Sequence, residues 1–252
     1  MTADIRTLEE ISELQAVCDL FGETWPTPQG HPPTTVGLLK ALAHTGNYVS
    51  GAFRDGRMIG AAVAFLGLRQ RVVTLFSNQI AVDAAAGGQG VGMAIQCHMR
   101  GWALEHDIHE INWTFDPLMV RNAYFFINKV GARGVEYLPD FYGGSYDPGN
   151  DASDRIFAVW DLRRTRPESP PADEAPLALF ADASGAPAVN HEAYRSDRFA
   201  IRPPADIKAL RRTDSALANL WRERVRQILG SALDAGYRLV DVSRDGRYVI
   251  AR

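Results

Sequence analysis

Apolar positions in the 252-residue chain recur with two periods, and the order in which these alternate sketches a fold. Leu8, Ile11, Leu14, Val17 and Phe21 keep helical spacing behind a Thr7–Glu10 pair with the T-x-x-E spacing of a capping box. A helix is therefore expected to about Glu23, after a short strand at Asp4–Arg6. TWPTPQGHPP, Thr24 to Pro33, breaks it, and a second short helix is expected over Thr35–Ala43. Strands at Tyr48–Phe53 and Met58–Leu66 flank Arg54-Asp55-Gly56-Arg57, whose Asp-Gly pair marks a tight hairpin. A third strand, Val72–Val82, runs through the loop Asp83–Gly90 into a helix over Val91–Glu105. Its inner stripe is Val91, Ala94, Ile95, His98 and Trp102, on which His98 reads as a core histidine. A strand over Ile108–Phe115, a helix over Met119–Val130 stopped by Gly131, and strands near Gly134–Tyr137 and Ile156–Leu162 follow.

From Arg163 the pattern changes. RRTRPESPPADEAP is proline-rich and charged, as in a linker or an extended surface segment. Leu177–Ala181 and Ala186–Val189 suggest a small hairpin, Asp206 suits a helix N-cap, and Leu217 to Leu233 form an amphipathic helix ended by Gly236. Tyr237–Val242 and Tyr248–Ala251 suggest a last hairpin. The expected organisation is a first domain over 1–163, a proline-rich linker with a hairpin over 164–200, and a helix-hairpin subdomain over 201–252 packed on the first domain. Some fifty residues are marginal alone.

Composition narrows the function classes. A formal charge of −3 offers no basic field for nucleic acid, and no run of eighteen apolar residues suggests a membrane span. The opening MTADIRTLEE has no signal-peptide pattern, and the two cysteines, Cys18 and Cys97, suit a reducing, cytoplasmic setting. His106 and His109 straddle an element break with no cysteine near them, so no metal site is expected. Gly143-Gly144-Ser145-Tyr146-Asp147 lacks the closing glycine of a nucleophile elbow. Arg222, Arg224 and Arg226 read as a solvated helix face.

The glycine-dense turn carries the most chemistry. Unpaired amides at a helix start attract anions, and glycines let a phosphate approach them. Gly92 is followed by Met93 and Ala94, which excludes the Lys-Ser/Thr of a P-loop, and Met93 stands where a dinucleotide fingerprint wants a third glycine. The turn resembles the coenzyme A loop of the GNAT acyltransferase superfamily, Q/R-x-x-G-x-G/A. Gly90, Val91 and Gly92 supply the G-x-G; the first position falls on Gly87, a departure that Gln89 could make good. The order of three antiparallel strands, phosphate loop and helix also resembles that family. So do the runs WTFDPL, NAYFFINKVGA and SDRIFAVW, which are similar to a bacterial branch with an extra C-terminal segment, some of whose members are thought to acylate amino acids.

The resemblance implies an α/β (α+β) fold with a mostly antiparallel central sheet flanked by helices and a small C-terminal α/β extension. It implies an enzyme that moves an acyl group from a pantetheine thioester to a small-molecule amine such as an amino acid. The donor would be acetyl-CoA, succinyl-CoA or the acyl-phosphopantetheine of a carrier protein. Gln79, Ile80, Ala81 and Val82 would pair with the pantetheine amides, as an added strand does. Gly87, Gly88, Gln89, Gly90, Val91, Gly92 and Met93 would hold the diphosphate, and Asn122, Phe126 and Lys129 would contact the coenzyme. The family's tyrosine acid falls on Ile127, so Tyr124 or Tyr142 is the substitute proton donor, and Asp116 is the candidate base. Trp25 and His31 border the family's acceptor pocket, although both also suit a packed loop. The tail either covers the acceptor side or forms a subunit contact, as in a homodimer. The alternative from another class is a GNAT-shaped protein without turnover that senses acyl-CoA or serves as a scaffold.

Overall fold

The computed structural model describes residues 3–26, 33–143, 152–164 and 174–252. His31, the run from Gly144 to Asp147 and most of the proline-rich segment lie outside the described residues. The chain divides into two compact units, Met1–Trp113 with Asp161–Arg163, and Thr114–Trp160 with Arg164–Arg252. The sheet is mixed and mostly antiparallel, with helices against it.

In the first unit the strand order is β1 (Asp4–Thr7), β2 (Tyr48–Arg54), β3 (Arg57–Arg69), β4 (Val72–Val82), β5 (Glu110–Phe115). The first four strands are antiparallel to their neighbours, and β4 pairs with β5 in parallel. Helices α1 (Ile11–Thr24) and α2 (Val36–His44) bring Leu14, Val17, Phe21 and Leu39 against Val49, Val63 and Ala81 of the sheet. The alternation along each strand leaves Tyr48, Ser50 and Ala62 for the opposite face, where α3 (Val91–Glu105) packs. The Thr7–Glu10 capping box does not form. Thr7 is still in β1, paired with Ser50, the Leu8 amide donates to the Val49 carbonyl, and α1 begins only at Ile11 with Glu10 as an N-cap whose side chain makes no capping bond. Sheet pairing has taken the residues that the local signal assigned to the helix.

In the second unit α4 (Val120–Ala123) continues as a π-helix, Tyr124–Val130, which Gly131 ends at φ 91°. Strands β6 (Arg133–Leu138) and β7 (Arg155–Asp161) are antiparallel, and β11 (Arg238–Val242) joins β6 through the Leu239–Gly134 pair. Beyond β11 the order is β12 (Tyr248–Ala251), β10 (Arg198–Ile201), β8 (Leu177–Ala181), β9 (Pro187–Val189). The short α5 (His191–Tyr194) lies between β9 and β10 in the chain. The helical stretch before β11 is not continuous. Asp206 caps α6 (Ile207–Thr213), Asp214 caps α7 (Ser215–Val225), and a π-helix, Arg226–Gly230, leads into α8 (Ser231–Asp234).

The arginines of that stretch differ from the sequence expectation. Arg222 is buried and Arg226 half-buried, and they point at carboxylates rather than solvent. Arg222 and Arg211 of α6 reach Asp116 Oδ2 at 3.5 and 2.7 Å, while Arg226 reaches Asp154 Oδ2 and Oδ1 at 2.9 and 2.6 Å. Their i,i+4 spacing puts both guanidinia on one helix face. Arg224 bonds Gln227 instead. Burying a carboxylate demands such partners.

Candidate functional site

In the first unit the site begins at a bulge. Val63 of β3 faces Gln79 and Ala64 faces Ser77, so Asn78 is an extra residue in β4. The parallel ladder to β5 joins Leu75 to Ile111 and Phe76 to Asn112 and stops there. From Ser77 to Val82, among the described residues, β4 pairs with β3 alone, and its other edge carries open main-chain groups. Gln79 and Ala81 are buried toward α1 and α2, whereas Ile80 and Val82 are half-buried.

Asp83 ends the strand and shapes the turn. Its Oδ1 accepts from the Ala85 amide at 2.8 Å, fixing a 3₁₀ turn at Ala84–Ala86, and Arg57 pairs with Oδ2 at 2.7 Å. The turn explains the departure at Gly87, where a Cβ would lie 3.0 Å from the Ala84 carbonyl oxygen. Gly88 and Gly90 take φ of 76° and 83°, which side-chain-bearing residues rarely adopt, and a Cβ on either would meet nothing within 4 Å. Space above the turn is therefore open. Gly90 is the N-cap of α3 and offers no capping side chain. The first amide of the helix bonded to the turn is that of Ala94, donating to the Gly90 carbonyl, so the N–H groups of Val91, Gly92 and Met93 have no hydrogen-bond partner among the described residues. Three free amides at the positive end of a fifteen-residue helix suit an anion.

Gln89 does not present its amide outward. Its Oε1 accepts from Arg54 Nη1 at 2.6 Å and its Nε2 donates to the Ala85 carbonyl at 2.9 Å. His98 shares a 2.8 Å hydrogen bond with the buried Tyr48 hydroxyl, and burial holds its imidazole below the ordinary value. Trp25 is partly exposed with its ring edge-on to Phe21 at 5.4 Å. Cys18 is buried and Cys97 exposed. Among the described residues no helix is long and apolar enough to cross a membrane.

The remaining candidates sit in the second unit. Asp116, just after β5, is buried with both oxygens engaged: Oδ1 accepts from the Leu118 amide at 2.8 Å, and Oδ2 takes Arg211 and Arg222. Tyr124 accepts from Arg244 Nε at 3.2 Å; that guanidinium holds the phenol below its ordinary pKa, and Lys129, over the ring at 5.6 Å, adds to the effect. Sequence spacing puts Tyr124 nearly one α-helical turn before Ile127. In the π-helix a turn takes more residues, and Ile127 is fully buried while Tyr124 reaches the exposed Arg244. Tyr142 shares a 3.2 Å hydrogen bond with Thr114 Oγ1, and Arg155 lies over its ring at 5.2 Å. Phe126 packs against Phe115 and Phe125, Asn122 and Lys129 are exposed, and Asn128 donates to Asp241 at 3.2 Å.

Arg54 and Arg57 were not singled out by sequence reasoning, and the bulge that makes Asn78 an extra residue is set by strand register. The first two were readable only as hairpin residues. Antiparallel pairing of β2, β3 and β4 nevertheless puts the β2–β3 turn beside the end of β4, so their neighbourhood follows from topology.

Solved structures similar to this chain include N-acetyltransferases. An N-acetyltransferase from Staphylococcus aureus Mu50 matches with a TM-score of 0.52 and 16% identity over 65% of this chain and 100% of its own. An aminoglycoside 6′-N-acetyltransferase complexed with coenzyme A gives 0.51 and 14% over 66% of this chain and 99% of its own. An acetyltransferase of the GNAT family from Streptococcus pneumoniae gives 0.52 and 12% over 63% and 98%. No protein-family model and no curated protein matches. The chain thus has the fold of GNAT N-acetyltransferases, a mixed, mostly antiparallel sheet flanked by helices.

Proposed function

We propose that this chain is an N-acyltransferase that takes an acyl group from a pantetheine thioester, acyl-CoA in the first place, and passes it to a small-molecule amine such as an amino acid. The observation that carries this reading is the uncapped start of α3, where the amides of Val91, Gly92 and Met93 have no hydrogen-bond partner among the described residues, beside the open Cβ positions of Gly88 and Gly90 and after a strand with one open edge. The amides and the missing β-carbons fit a diphosphate, and the β4 edge fits the pantetheine amides as an added strand. The similar aminoglycoside 6′-N-acetyltransferase, complexed with coenzyme A, supports the same chemistry. Acetyl, succinyl and carrier-bound acyl donors share that arm.

When bound, the thioester supplies an activated carbonyl. The acceptor nitrogen forms the new C–N bond, the C–S bond breaks, one proton leaves the amine and one reaches the departing thiolate. Main-chain N–H groups of β4 beside the Asn78 bulge are our choice to hold the oxygen on which charge develops. For the proton transfers the candidates stay Asp116, Tyr124 and Tyr142, and for further coenzyme contacts Asn122, Phe126 and Lys129. A second reading, coenzyme binding without turnover, is favoured by one observation: both oxygens of Asp116 are already engaged. A thiol-release assay with acetyl-CoA and succinyl-CoA against mixed amino acids separates the two. Release that depends on an added amine supports the enzyme; coenzyme binding with no amine-dependent release supports the sensor or scaffold.

A further inference from the structure

We infer that Arg54, on the turn between β2 and β3, is the phosphate-facing cation of the coenzyme site. The inference rests on the acyl-coenzyme reading above. The glycine turn has no charged side chain at its leading position, because a Cβ at Gly87 would lie 3.0 Å from the Ala84 carbonyl oxygen. Gln89, the nearest polar substitute, has both ends of its amide committed, one to Arg54 and one to Ala85. What Gln89 does instead is fasten a guanidinium to the turn.

That guanidinium has capacity left. Of its five donors one goes to Gln89, its Nε is buried without a hydrogen-bond partner, and among the described residues no carboxylate lies within ion-pair distance of it. The neighbouring cation differs: Arg57 is paired with Asp83 at 2.7 Å and largely solvated. Arg54, Asp55, Arg57 and Asp83 sum to no net charge, but Arg57 is paired with Asp83 whereas the Arg54 guanidinium is held by Gln89 and by no carboxylate among the described residues. A planar guanidinium donates two parallel hydrogen bonds to phosphate oxygens and adds to the partial charge of the α3 N-terminus. The free amides at residues 91–93 and Arg54 would thus share one phosphate group, with Gln89 as a positioning residue.

Coenzyme A presents two such groups, the diphosphate and the adenosine 3′-phosphate, and titration calorimetry with coenzyme A and with dephospho-coenzyme A tells them apart. Arg54→Gln is expected to weaken coenzyme A binding about 10- to 100-fold, the range for a lost charge-assisted hydrogen bond. An equal loss for both ligands supports a contact to the diphosphate held by the amides, and a loss confined to coenzyme A puts Arg54 on the 3′-phosphate and overturns the shared contact. Arg57→Gln, which removes a cation already neutralised by Asp83, should change binding less than about twofold. If Arg54→Gln binds both ligands as the parent does, or if Arg57→Gln weakens binding as much, the inference is overturned while the acyl-coenzyme reading stands. If the parent protein binds neither ligand, both fall together.

Discussion

Asp154 offers the sharpest test of how the second unit is held. It is fully buried at the start of β7 and accepts from the Tyr137 hydroxyl at 2.7 Å, from the Asp140 amide at 3.0 Å and from two nitrogens of Arg226. Asp154→Ala removes all of these at once. Stranding one member of a buried ion pair costs about 3–5 kcal/mol. Arg226 keeps 39% of its side chain in solvent, so its charge re-hydrates, and the pair contributes about 2 kcal/mol after that discount. The buried Tyr137 hydroxyl and the Asp140 amide lose their acceptor, adding about 1 kcal/mol. Loss of about 3 kcal/mol at a urea m-value of about 2 kcal/mol/M lowers the midpoint by about 1.5 M. Asp154→Asn, which keeps shape and an acceptor oxygen, should lose less than half of that.

The acid limb gives a second readout of the same residue. Burial alone would raise the Asp154 carboxyl, but Arg226, the Asp140 amide and the Tyr137 hydroxyl outweigh it and hold the group below the usual carboxylate range. A depressed folded pKa means that the stabilisation is complete above the unfolded value of about 3.9 and fades as pH falls through the folded one. Asp154→Asn should therefore flatten the fall in urea midpoint below about pH 4. A midpoint for Asp154→Ala within about 0.3 M of the parent, with the acid limb unchanged, would refute the reasoning.

Cutting the chain after 163 removes Arg211, Arg222 and Arg226 and leaves Asp116 and Asp154 buried without their cations, so a fragment of residues 1–163 is expected not to fold cooperatively in a thermal melt. Asp116→Asn tests the base assignment: turnover should fall at least about tenfold with coenzyme affinity unchanged, and unchanged turnover removes Asp116 from the chemistry. Tyr124→Phe should likewise cut turnover about tenfold or more if its phenol protonates the thiolate, and Arg244→Gln should shift the basic limb of the pH–rate profile upward, since Arg244 lowers the Tyr124 pKa. His98 is held below its ordinary value by burial, so its contribution to stability is complete above the unfolded value of about 6.5 and is lost as pH falls below it. The urea midpoint of His98→Gln, compared with the parent at pH 7.5 and pH 5, should show a smaller drop.

Much of the first unit is legible along the chain because its strong signals are local. The Asp55-Gly56 turn sets the β2–β3 hairpin, the apolar spacing of α1 points it at the sheet, and positive-φ glycines mark the way into α3. The errors come where pairing overrides a local signal. Thr7 reads as a helix cap until Ser50 pairs with it, and the spacing from Tyr124 to Ile127 means one thing in an α-helix and another in a π-helix. Asp116 reads as an available base because its partners, Arg211 and Arg222, stand 95 and 106 residues away, a distance that no local pattern spans. The same holds for Arg226, whose target Asp154 stands 72 residues away.

The central claim is that bare main-chain amides at the start of α3 take up a phosphate, and amide NMR observes them one by one. Titrating coenzyme A into the ¹⁵N-labelled protein should move the signals of Val91, Gly92 and Met93 downfield, and should shift Gly88 and Gly90 along the same binding curve. Saturable binding that leaves those five signals in place, with changes gathered elsewhere in the chain, would contradict the claim.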